Sequence, residues 1–163
     1  LIYKILKRLE MKNEKSIEVL NNLIEINNDR IEGYETALKE TNESDLTSLF
    51  TRYISNSRKF KSELVAEVTR MGGEPEDGTR ASGKIYRAWM EVKAAVTGKE
   101  RKTVLNSCEY GEDVALETYK DVMEDHFTDL SGDQQKLVST QYRQIKADHD
   151  AVRDLRDQAV VHA

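Results

Sequence analysis

The sequence predicts an all-α protein, a four-helix bundle folded as one domain, and three observations carry that expectation. Apolar residues recur at spacings of three and four through four long segments, polar turn signals separate those segments, and 163 residues hold one proline and eight glycines. A chain that is 34% charged and 38% hydrophobic suits helices with one buried and one solvated face, and its length suits a single core.

The first helix is expected over residues 13–40, where Ile17, Leu20, Ile24, Asn27, Ile31, Tyr34 and Leu38 fall on one stripe. A polar turn follows at 41–45, in which Ser44 has the chemistry of an N-cap. The second helix, 45–71, carries Leu46, Phe50, Tyr53, Ser57, Phe60 and Leu64. It stops at Gly72-Gly73-Glu74-Pro75, because glycine accepts a left-handed conformation and proline blocks continuation. The third helix, 99–126, places Leu105, Cys108, Glu112, Ala115, Tyr119, Val122 and His126 together. After a loop at 128–133, with Ser131 or Asp133 as cap, the fourth runs to 160 through Val138, Tyr142, Ile145, His149, Val152 and Arg156.

Two short turns make two antiparallel hairpins, and segment 72–98 joins them as a long crossover. The crossover carries a short amphipathic helix with Ile85, Trp89, Val92 and Val96 on one side. One long crossover, in place of three short loops, matches the ferritin-like four-helix arrangement. Residues 1–12 precede this 13–163 domain as a basic amphipathic lead-in, Ile2, Ile5, Leu6 and Leu9 alternating with Lys4, Lys7 and Arg8. So short a segment buries too little apolar area to hold a membrane surface without a second signal.

A net charge of −5 argues against a general nucleic-acid surface, and no apolar run approaches the roughly 20 residues of a membrane span, so no stable membrane insertion is expected. The single cysteine, Cys108, excludes an intrachain disulfide framework and fits a reducing cytoplasm. On an apolar stripe it reads as a small buried hydrophobe, and Gly33 and Gly111 as points of close helix approach. His126 reads as a cation at the end of the third helix, and His162 lies in the terminal tail.

A carboxylate-bridged di-iron centre in such a bundle takes a Glu from each of two helices and a Glu-x-x-His pair from each of the others. Asn27 and Tyr34 stand seven apart in the first helix as Glu112 and Tyr119 do in the third, which aligns the two halves as an old duplication. Matching Tyr53 with Tyr142 sets Phe60 against His149 and Ser57 against Lys146. The six ligand positions then read Asn27, Ser57, Phe60, Glu112, Lys146 and His149, of which Glu112 and His149 alone have the expected side chains. A polar core is therefore expected, Glu112 paired with Lys146 and supported by Asn27, Tyr34, Ser57, Tyr119 and His149. The alternative is iron or manganese held by Glu112, His149 and shifted acids among Glu32, Glu35, Glu63 and Glu109; these acids and Asp148 lie within a turn of the stripe, where helix rotation would bring some inward.

Several segments carry a resemblance: Asn21-Asn22-Leu23-Ile24-Glu25, Asp29-Arg30-Ile31-Glu32-Gly33-Tyr34, Gly72-Gly73-Glu74-Pro75-Glu76-Asp77, Trp89-Met90, the run from Leu105 to Asp113, and His149-Asp150-Ala151-Val152-Arg153. Over residues 13–159 the chain resembles a bacterial family of uncharacterised four-helix-bundle proteins of the ferritin-like superfamily. The resemblance implies the ferritin-like fold and a stress-associated role, and it brings no ligand set. The expected function is a non-catalytic bundle acting through self-association or a protein partner, with no resident cofactor. Ile85, Trp89, Met90 and Val92 are the interface candidates, and an internal cover over the bundle is the competing use of the same stripe.

Overall fold

The computed structural model describes residues 1–79 and 101–159, which form four α-helices and one short 3₁₀ turn, with no strand among the described residues. The helices are α1 (Ile2–Lys39), α2 (Ser44–Arg70), α3 (Arg101–Asp125) and α4 (Gly132–Gln158), and the 3₁₀ turn Phe127–Asp129 lies between the last two. None is long and apolar enough to cross a membrane. Helices α2 to α4 have 25 to 27 residues, about 40 Å of length each.

The helices pack as a bundle around one core. Tyr34 anchors its centre, its ring 5.5 Å from Phe50 and 5.3 Å from Tyr53, edge-on to the latter. The predicted stripe of α2 is buried throughout, and so is that of α3 from Leu105 to Val122. On α1 the inward face is turned toward Ser16, Leu20, Leu23, Asn27, Arg30, Tyr34 and Ala37, leaving Ile17, Ile31 and Leu38 partly covered at its border. On α4 the same rotation brings in Gln134, Gln141 and Asp148 beside Val138, Ile145 and Val152.

Helix α2 ends in a Schellman motif, Gly73 N–H to Val68 C=O at 3.0 Å and Gly72 N–H to Thr69 C=O at 3.0 Å, with Gly72 at φ 79°. A Cβ on Gly73 would stand 2.9 Å from Ile17, so close approach of the turn to α1 also favours glycine there. Met71 C=O accepts from Asn13 at 3.3 Å, so the end of α2 lies beside the early turns of α1. The chain then follows α1: Asn21 bonds Glu74 C=O and Glu76 N–H, both at 2.9 Å, and Asn28 bonds Gly78 C=O at 2.9 Å. Helix α3 begins at the other end, where Arg101 meets Glu43 and, at 2.7 Å, Asp45.

Two terminal details differ from the sequence reading. Ser44 is the first residue of α2, not its cap; Glu43 holds the extended cap position and makes no side-chain cap bond. Ser131, one of the two proposed caps of α4, forms a full capping box with Gln134.

The larger difference is at the start. Helix α1 is continuous from Ile2, and residues 1–14 are exposed, so about three and a half turns extend past the bundle. Leu1, Ile2, Tyr3, Ile5, Leu6, Leu9 and Met11 all stand in solvent there, Ile2 at 74% and Leu9 at 58% exposure. Among the described residues the one other exposed large apolar side chain is Tyr110.

Candidate functional site

All four helices send a polar side chain to one buried point, and the group at its centre is Arg30. Its Nε donates to Glu112 Oε2 at 3.0 Å and its Nη2 to Glu112 Oε1 at 2.7 Å, a two-pronged pair joining α1 to α3. Nη1 donates to Ser57 Oγ on α2 at 2.8 Å, and Nη2 reaches Asp148 Oδ2 on α4 at 3.3 Å. The Tyr34 hydroxyl donates to Glu112 Oε1, the Ser57 hydroxyl to Tyr53 C=O at 2.8 Å, and Gln144 to Asp148 Oδ1 at 3.0 Å. Arg30 and Glu112 are each 1% exposed.

One guanidinium thus faces two carboxylates in a dry interior. Burial alone would lower the pKa of Arg30, but Glu112 first, then Tyr34 and Asp148, together more than offset it and hold the cation firmly charged. Burial pushes Asp148 above the usual carboxylate range, with Arg30 opposing. Burial also raises Tyr34 well above its ordinary value and Tyr53 to about 12. The Cys108 thiol is pushed up by burial and then by Glu112, which makes it a packed hydrophobe and not a nucleophile.

A neutral chain lies next to this cluster. Asn27 Nδ2 donates to Leu23 C=O at 2.9 Å and to the Tyr119 hydroxyl at 2.7 Å. Tyr119 donates to Gln141 Oε1 at 2.6 Å, and Gln141 Nε2 to Phe60 C=O at 3.3 Å. Asn27 Oδ1 is buried without a hydrogen bond.

Of the predicted polar core, Asn27, Tyr34, Ser57, Glu112 and Tyr119 are buried there, and Lys146 is not. Lys146 is 54% exposed and lies 3.1 Å from Asp150 one turn on, so the expected Glu112–Lys146 pair is replaced by Glu112–Arg30. The rotation of α4 that turns Asp148 inward turns Lys146 outward. A di-iron centre does not fit: both Glu112 oxygens are bound by a guanidinium, and Ser57 and Phe60 occupy ligand positions.

Glu112 and His149 have separate partners. His149 lies at the α3–α4 flank, with Nε2 2.7 Å from Asp113 Oδ1 and 3.9 Å from Glu109 Oε1, and Nδ1 3.0 Å from Asp150. Among the described residues, Glu109, Asp113 and His149 are the group whose donor atoms fall within 4.8 Å of one another. The other Glu109 oxygen is paired with Arg156. Of the remaining shifted acids, Glu32 is exposed, Glu35 meets Arg58 at 2.9 Å on the surface, and Glu63 is half-buried. His126 occupies the position before the 3₁₀ turn without a side-chain cap bond, its Nδ1 3.3 Å from Asp129 Oδ2. The interface candidates Ile85, Trp89, Met90 and Val92, and the crossover helix, lie outside the described residues, as does His162.

Arg30 and Asp113 were missed by the sequence reading, whereas Asp148, one of the acids beside the stripe, is brought inward by helix rotation. A second stripe of the same 3-4 spacing, Leu20, Leu23, Asn27, Arg30, Tyr34 and Ala37, runs beside the one chosen and would have brought Arg30 inward.

Fold and site together define an all-α helical protein whose centre is filled by a guanidinium–carboxylate cluster. Residues 15–125 match the family described as a domain of unknown function (DUF2383), and the chain belongs to that family. No curated protein matches it. The family match begins at the residue before Ser16, where α1 enters the bundle, and ends with α3.

Proposed function

We propose that this protein is a ferritin-like, non-catalytic bundle that works by pairing with a second copy of itself through the free early turns of α1. The ferritin-like reading is supported by the direction of its contacts. Asn13 meets Met71, Glu35 meets Arg58, Ser16 meets Asp129, and Tyr119 meets Gln141, which is an up-down-down-up order of antiparallel hairpins. The connection leaves beside Asn13, while α3 is met beside Glu43 at the opposite end of the bundle. The guanidinium at the centre speaks against ferroxidase or oxidase chemistry there, and any stress-associated role would then be exercised by assembled bundles and not by turnover.

The observation that carries the association is the exposed stripe Ile2, Leu6 and Leu9, which extends the four-three spacing of the buried face of α1 into solvent. A second copy is the occupant because the described surface of the bundle offers almost no other apolar receptor: the stripe's complement on another chain is the same stripe. Lys4, Lys7, Arg8, Lys12 and Lys15 give residues 1–15 a net +3 on a chain of −5, leaving −8 on the rest and drawing basic ends toward acidic bodies.

Sedimentation of the full chain across micromolar concentrations is expected to show a monomer–dimer equilibrium, and Leu6→Glu with Leu9→Glu to leave a monomer of unchanged helicity. A wild type monomeric throughout would overturn the reading, as would binding of the basic end to anionic vesicles with no self-association.

A further inference from the structure

We propose that Glu109, Asp113 and His149 form a site for one divalent transition-metal ion on the α3–α4 flank, apart from the bundle centre. Glu109 and Asp113 are four residues apart and so share one face of α3, opposite His149 on α4. One imidazole and two carboxylates neutralise a dication and suit zinc, manganese or ferrous iron, with the remaining positions open to water.

Two features of His149 set this group apart from a solvated charge cluster. Its Nδ1 is 3.0 Å from Asp150, the outer partner that fixes a ligating imidazole with Nε2 turned to the ion. That Nε2 is buried and makes no hydrogen bond of acceptable geometry, although Asp113 Oδ1 is 2.7 Å away. An in-line N–H···O bond would set the oxygen along the ring-nitrogen axis. Side-by-side placement is what two ligands of one ion adopt. An ion about 2.1 Å from each donor needs neighbouring donors roughly 3.0–3.4 Å apart. The separations from Nε2, 2.7 and 3.9 Å, bracket that range, and the half-exposed Asp113 side chain is free to adjust. Glu109 keeps Oε1 for the metal while Arg156 holds its other oxygen, the support a ligating carboxylate commonly has.

The test uses the full chain, stripped with chelator and titrated with Co(II) as the probe. One equivalent is expected to bind with visible d–d absorption and to be displaced by Zn(II). Asp113→Asn and His149→Gln each weaken binding by about 10-fold or more, and Asp150→Asn by about 10-fold through the imidazole. Glu124→Gln, an exposed acid about three turns further along α3, leaves it unchanged. Asp113 is 58% exposed, so its variant folds and keeps the test decisive. Absence of Co(II) binding, equal binding by the Asp113 and His149 variants, or Mg(II) binding as tightly as Co(II) would each overturn the site. Dimerisation bears on none of these results.

Discussion

Arg30 holds the centre of the bundle together, and the same burial that strengthens its contacts makes its loss costly. Arg30→Met would leave Glu112 in a dry interior with Tyr34 as its remaining partner. We expect a loss of about 3–5 kcal/mol in chemical denaturation, with Glu112→Leu added to Arg30→Met recovering part of it. Asp148 is the opposite case, because its pKa is raised in the fold. A raised carboxylate pKa means stability present in acid and lost as pH rises through the folded value. Asp148→Asn should therefore melt at or above the wild-type temperature at neutral pH, with Gln144 flipping its amide to accept from the new donor. The advantage should shrink as pH falls through the titration of Asp148, and pH-dependent thermal melts would read it. At this scale Glu112, Asn27, Ser57, Tyr34 and Tyr119 were legible as polar or hydroxyl groups interrupting apolar stripes. Arg30 was not, because apolar count alone favours the stripe through Ile24 and Ile31, and it assigns a guanidinium to solvent unless its carboxylate partners are known; Asp148 was legible only as one of several acids beside the stripe.

Helix ends were the most legible elements, since their chemistry is local. Gly72-Gly73-Glu74-Pro75 marked a stop that the Schellman bonds bear out, and Ser131, one of two candidate caps, marked a start that its capping box with Gln134 bears out. Ser44 misled by one position, because Glu43 takes the extended conformation without a capping side chain. Gly72→Ala would force a Cβ into φ 79° and should cost about 1–2 kcal/mol, measurable as a lower denaturation midpoint with the slope unchanged. The rotation of α1 and α4 was not legible: two neighbouring seven-residue stripes share Leu20, Asn27 and Tyr34, and only packing against three other helices selects between them.

At the scale of the molecule, the bundle and the free end of α1 are separable. No tertiary packing covers residues 1–12, so their deletion should leave the melting temperature of the monomer nearly unchanged while abolishing any concentration dependence, which sedimentation and thermal melts would show together. The paired asparagines Asn21 and Asn28, which fasten residues 74–78 along α1, explain why polar residues lie at the border of an otherwise apolar helix face.

The projecting turns of α1 also bear on the entropy of recognition. A peptide of a dozen residues alone in water barely forms a helix, because the first turn fixes several dihedrals for one hydrogen bond. Here that nucleus is supplied from within the bundle, and each added residue of the projection incurs only the cost of propagation. Whatever binds the stripe Ile2, Leu6 and Leu9 meets side chains already set in register, so little of the binding free energy goes into ordering the segment.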